Sequence, residues 1–209
     1  MKQWIDRKFL NPIKYITAPF DCSEQIKYKK AGAIWQIFCQ LALVFIARIL
    51  TLVLNGFLFN TAKIENVNLL LEAAIITALY ACFIVSNWAF CALTEGEATF
   101  IEISLVTGFS LTPYIIASFI NTVLTNLLVL REQAFIEIIS TIGIIWSVLL
   151  LMIGMKEVHR FTMKKTVFSL VVCIVFMALI AFLCVIVFSM TQQFLIFIMN
   201  IYNEIVFRM

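Results

Sequence analysis

"TVFSLVVCIVFMALIAFLCVIVFSM", residues 166–190, holds no charge, no proline and no glycine. As a helix it would be apolar on every side, so no face could be turned to water. At about 1.5 Å per residue it is long enough to cross a hydrocarbon layer of roughly 30 Å. The solvent for this stretch is therefore lipid. Working outward, four more runs have the same character: residues 32–54, broken only by Arg48; residues 73–93; residues 103–130, containing Pro113; and residues 138–155, the shortest. About 28 residues is too short for two crossings, so 103–130 reads as one span, kinked or broken near Pro113. The chain has 209 residues, of which 63% are apolar and 13% charged, more apolar surface than a soluble domain of that size can hide. The expected fold is all-α: a polytopic membrane protein, a bundle of five transmembrane helices with an amphipathic C-terminal helix.

The charges between the runs set the expected orientation. Residues 1–31 carry Lys2, Arg7, Lys8, Lys14, Lys27, Lys29 and Lys30, and the loop after the fourth span carries Lys156, Arg160, Lys164 and Lys165. With five spans these segments share a side, and the other side has only Lys63, Arg131 and Arg208. The positive-inside rule then places the N-terminus in the cytoplasm and the C-terminus outside the cell membrane. The first apolar run begins at Gly32, so it reads as a retained anchor rather than a cleaved signal. Residues 191–209 place Phe194, Leu195, Ile198, Ile201, Tyr202, Ile205 and Val206 at three-four spacing. That pattern fits a helix lying on the outer leaflet or extending span five, with a docking surface as the alternative.

No catalytic constellation is present. The P-loop, the H-E-x-x-H pair and the dinucleotide glycines are all missing. The sole histidine, His159, falls in a basic loop with no nucleophile or carboxylate pair and is expected to be solvated. The six cysteines include no C-x-x-C pair. No catalytic residue, cofactor or metal is therefore expected. The basic N-terminal segment suits an anionic lipid surface better than a nucleic acid.

The residues singled out lie in three places. "TEGEATFIEI", residues 94–103, brings Glu95, Gly96, Glu97 and Glu102 between two spans without a base. Thr99 and Glu102 have capping-box spacing, Gly96 suits a turn, and Glu95 and Glu97 are within reach of the basic loop after span four. Three carboxylates without further oxygen-ligand spacing make a weak cation site. Arg48 lies roughly 24 Å along span one, where it must snorkel outward beside Glu72 or Glu137, or link inward to Asn121. On the third span Thr107, Ser110, Tyr114, Ser118, Asn121 and Thr125 recur at steps of three or four, with Gly108 and Pro113 beside them. A polar stripe on such a helix faces protein or water, either bonding to neighbouring helices or lining a substrate path. Ala74, Ala78 and Cys82 form a small-residue row that suits close helix approach.

"NWAFCALTEGEATFIEISLVTGFSLTPYI", residues 87–115, resembles the central block of the Yip family of Ypt-interacting membrane proteins. The shared features are Asn87, Trp88, Gly96, Glu97, Gly108, Phe109, Pro113 and Tyr114. "GMKEVHRFTMKKT" is similar to the family's loop after span four, with His159, Phe161, Thr162, Lys165 and Thr166. "APFDCSEQIKYKKAG" resembles the lead-in to span one, and "IYNEIVFR" the tail of the bacterial branch. Phe109 stands where tyrosine is frequent, and Ala98 where the loop often has glycine. The resemblance implies five spans, a cytoplasmic N-terminus and no catalysis. It implies a non-enzymatic adaptor or accessory protein partnering another membrane protein or complex, such as an ATP-driven exporter in envelope or toxin defence, or a second copy of itself. A scaffold of membrane trafficking binding small GTPases is the eukaryotic alternative, weakened by the missing long acidic, proline-rich N-terminal region. A transporter using the polar face of span three is the alternative from the residues themselves.

Overall fold

The computed structural model describes residues 10–57, 59, 68–94 and 96–208. Among them there are eight α-helices and no strand. Two short helices come first: α1 (Pro12–Thr17) and α2 (Pro19–Lys29). The remainder are α3 (Ile34–Leu54), α4 (Leu69–Leu93), α5 (Phe100–Ser110), α6 (Thr112–Leu124), α7 (Gln133–His159) and α8 (Met163–Arg208). Counting α5 with α6, and α7 with the 3-10 turn before it, five helical stretches are long and apolar enough to cross a membrane.

Local chemistry sets the boundaries. Asn11 caps α1 by accepting from Ile13 N at 3.0 Å, with Pro12 in the first turn where its missing N–H costs nothing. Asn68 caps α4 through Leu70 N and Leu71 N. The third span breaks at Leu111, and Pro113 sits in the first turn of α6. Proline cannot supply the N–H that a continuous helix would need there.

The broken span is the axis of the bundle. Of its most apolar window 61% is buried by protein, against 6% for α8. It contacts α3 and α7 through both halves, while α4 packs on α5. α8 lies outermost, leaning on α4 and the end of α7. Small side chains explain the central place: Ser104, Thr107, Gly108, Ser110 and Thr112 let neighbours approach, and their hydroxyls need protein partners in a medium without water. α6 and α7 approach closely at Gly143 of α7, where an added Cβ would lie 2.5 Å from Ala117 Cβ of α6. The Ala74–Ala78 row does not take this part. Both residues are exposed, and only Cys82 of that row meets α8, at Met177 O.

The N-terminal segment is more than a surface tether. α1 and α2 pack under the basic end of the bundle, and Tyr15, Cys22, Ser23 and Ile26 are fully buried. Tyr15 Oη meets Ser23 Oγ at 3.2 Å, and its ring lies 5.9 Å from that of Phe109. Burial pushes the Tyr15 phenol far above its ordinary range, so it remains a neutral hydrogen-bonding group. At the other end, α8 runs on as one helix of 46 residues, and residues 191–208 extend span five rather than forming a separate element.

Candidate functional site at the basic end

Residues 96–99 join α4 to α5 in an extended link, and the basic parts of the chain converge on it. Thr99 caps α5: its Oγ1 accepts from Glu102 N at 3.4 Å, while Glu102 Oε2 accepts from Thr99 N at 3.0 Å. This is the capping box read from the sequence. Glu102 also faces Lys27 Nζ of α2 at 3.5 Å, with both side chains nearly enclosed. Lys27 Nζ donates as well to Glu97 O. Glu97 makes an ion pair with Arg160 at 3.0 Å, half exposed, and Lys165 Nζ donates to Thr94 O at 3.0 Å. Glu95 lies outside the described residues.

Gly96 is needed here for its size. Its backbone is not left-handed, since Gly32 is the described glycine with positive φ. A Cβ on Gly96 would lie 2.5 Å from Cys91 Sγ, 3.0 Å from His159 Nδ1 and 3.1 Å from Phe161 Cζ. The link is thus pressed onto the end of α4 and the turn after α7, and an expected turn residue proves to be a packing residue.

His159 corrects the expectation of a solvated loop histidine. It is the last residue of α7 and only 2% exposed. Its ring stacks on Phe161 at 5.1 Å, and Nε2 lies 2.7 Å from Asn87 Oδ1 of α4. With the amide oriented so, Nε2 carries the proton and Nδ1 is the bare nitrogen facing Gly96. His159 Nδ1 and Ser86 Oγ are buried without a hydrogen-bond partner in this chain. Arg160, the next residue, turns the chain at φ 56° and sets its guanidinium 5.1 Å over Tyr28 of α2. Asn87, Gly96 and His159, far apart in sequence, therefore meet at one place. The pairing could have been suspected from Asn87, a strongly polar residue inside an apolar run that has to find a partner.

The other candidate residues lie elsewhere. Arg48 Nε sits 3.3 Å from Glu72 Oε2 at the opposite end, partly exposed. Asn121 is bonded instead to α7, donating to Ser140 Oγ at 2.6 Å and Ile136 O at 3.2 Å. Of the two expected arrangements the structure shows the pairing with Glu72 of the neighbouring span, with both side chains partly exposed, and not the link to Asn121. Gly108 packs near Tyr80 Oη, which donates to Ser104 O at 2.5 Å. Pro113 lies in the first turn of α6, and Tyr114 N donates to Ser147 Oγ at 3.1 Å. Thr107, Ser110 and Thr125 donate to carbonyls of their own helix. Between the spans lies a cavity of about 330 Å³ lined mainly by apolar side chains such as Leu41, Val44, Leu79 and Phe83.

No group of three or more His, Cys, Asp or Glu side chains that could hold a metal exists among the described residues. Its chemistry is that of a charged, well-anchored surface. No curated protein and no solved structure gives a significant match to the chain. The Yip1 domain matches residues 13–186, from the first turns of α1 to the middle of α8. That match takes in the Asn87–His159 pair, the Gly96 link, four spans and the first part of the fifth, and the chain belongs to the Yip1 domain family of multi-pass membrane proteins.

Proposed function

We propose that this protein is a non-enzymatic membrane adaptor, with its basic end in the cytoplasm and its C-terminus outside, that holds or assists another membrane complex such as an ATP-driven exporter. The observation that carries this reading is the contrast between the two polar regions. Inside the bundle, Thr107, Ser110 and the Asn121 amide N–H donate to neighbouring helices or to their own carbonyls, and the adjoining cavity is lined mainly by apolar side chains. That leaves little for a hydrophilic substrate to follow and favours an adaptor over a permease. At the basic end, charged side chains of three segments are fixed at the surface over a closely packed base formed by Gly96, His159 and Phe161. Fixed charges serve recognition, because little side-chain freedom is left to lose on binding.

The test is gentle affinity purification from native membranes with identification of what is retained. An ATPase complex recovered with the wild-type chain, and lost with Glu97→Gln at unchanged expression and melting, supports the adaptor. Recovery of the chain alone, together with solute flux after reconstitution in liposomes, overturns it.

A further inference from the structure

A recess of about 530 Å³ lies at the basic end, between the C-terminus of α2 and the first turns of α3 and α5. Its volume is within the roughly 300–1,000 Å³ of ordinary ligand sites. Its lining combines two kinds of side chain. Ile26 and Leu105 are buried, Ile34 and Ile101 are exposed apolar side chains at the starts of two spans, and Lys30 and Trp35 stand beside them. Lys30 is exposed and Trp35 is about half exposed, a basic–aromatic pairing suited to the boundary between headgroups and acyl chains. Glu102 is the one acid in the lining, and Lys27 and Thr99 N already face its carboxylate.

The backbone beside the recess is unusual in the same place. Lys30 is left-handed at φ 46°, a conformation that glycine or asparagine adopts at lower cost. Gly32 follows at φ 99°, and a Cβ there would meet Leu105 Cδ1 at 2.7 Å. The α2–α3 connection is therefore folded tightly against α5, and a long cation occupies a position where local conformation would favour glycine.

We propose that this recess binds one anionic phospholipid of the adjoining leaflet, its phosphate on Lys30 beside Trp35 and an acyl chain along Ile101 and Leu105. Apolar side chains beside a cation at the level where two spans begin match an amphiphile with a negative head, and a membrane phospholipid is the amphiphile present there. The inference does not depend on the adaptor reading.

Lys30→Gly tests it without endangering the fold, since glycine relieves the left-handed strain while removing the charge. Lys29→Ala removes the same charge next door and outside the recess. Each protein is reconstituted with phosphatidylglycerol and phosphatidylcholine in equal amounts, extracted mildly and weighed by native mass spectrometry. The expected result is one retained phosphatidylglycerol on the wild type and on Lys29→Ala, with its occupancy reduced several-fold on Lys30→Gly. Ile101→Trp, which crowds the apolar side of the recess, is expected to lower it as well. Equal retention of the two lipids by the wild type, or equal losses in Lys29→Ala and Lys30→Gly, would mean diffuse attraction to a basic surface and overturn the site. Competition by soluble glycerol phosphate as effective as by the lipid would overturn the acyl-chain half.

Discussion

His159 and Asn87 show how much one contact can hold at this end of the bundle. Each is buried, and the 2.7 Å bond between them joins α7 to α4. Removing either leaves the other's polar group enclosed and unpaired, at a cost of about 1–3 kcal/mol. His159→Ala and Asn87→Ala should each lower the melting temperature in detergent, and the double variant should melt well above the additive expectation. Additive losses would show that the pair is not coupled. Gly96→Ala should be comparably harmful, because Cys91, His159 and Phe161 must all move, whereas Glu97→Gln at the exposed pair with Arg160 should leave melting unchanged. A second contrast separates the two ion pairs. Lys27→Met strands an enclosed Glu102 and should cost about 1.5–3 kcal/mol, while Arg160→Met should barely register in a melt. The capping box was legible because its spacing is local. The place of Glu97 beside Arg160 was legible as a choice among bases on the same side. The partners of His159 and Lys27 were not, because a contact across 72 residues leaves no periodic trace in either segment.

At the scale of elements, the five spans follow from hydropathy alone, and the break in the third follows from Pro113. The helices α1 and α2 do not. Their buried residues, Tyr15, Cys22 and Ile26, are scattered through a strongly charged stretch, so the segment reads as surface although its inner face docks on α5 and α7. Gly154 marks that docking from the other side, since a Cβ there would lie 2.2 Å from Tyr15 Oη and 2.4 Å from Val106 Cγ1. The choice of small residues for helix crossings was likewise open: alanines in α4 looked suitable, but tertiary packing placed the crossing at Gly143 and Ala117. This gives a test with an internal rescue. Gly143→Ala should force α6 and α7 apart and lower the melting temperature. Adding Ala117→Gly to it should restore much of the loss, because the space needed by one methyl is released by the other. If the second change only adds to the damage, the crossing is not where the structure puts it.

For the whole molecule, the unresolved tension is length. At about 1.5 Å per residue the 46 residues of α8 extend roughly 69 Å, more than twice the thickness of a hydrocarbon core. Contact with the bundle ends early: every described residue from Ala181 to Glu204 is exposed, and the family match stops at residue 186. The distal half therefore adds little to the packing of the five-span domain, and a chain ended after Met190 should melt close to the full chain. The same half still cannot stand in water, since Phe194, Leu195, Phe197 and Ile198 are as exposed as the residues facing lipid lower down. Gln193, Asn200 and Glu204 share one narrow side of the helix by their spacing of seven and four, and that side points away from the Cys173 face that meets α4. A bend near Gln192 and Gln193 would lay the apolar sides in the outer leaflet and leave this stripe in water, as the sequence pattern suggests for residues 191–209. Two single cysteines, placed in a chain cleared of its native ones, decide it in intact cells. Asn200→Cys should react with a membrane-impermeant maleimide added outside, and Phe197→Cys should not. Equal labelling of both would show a helix projecting straight from the membrane, and labelling of neither would place the distal half, and with it the C-terminus, on the other side or within a partner.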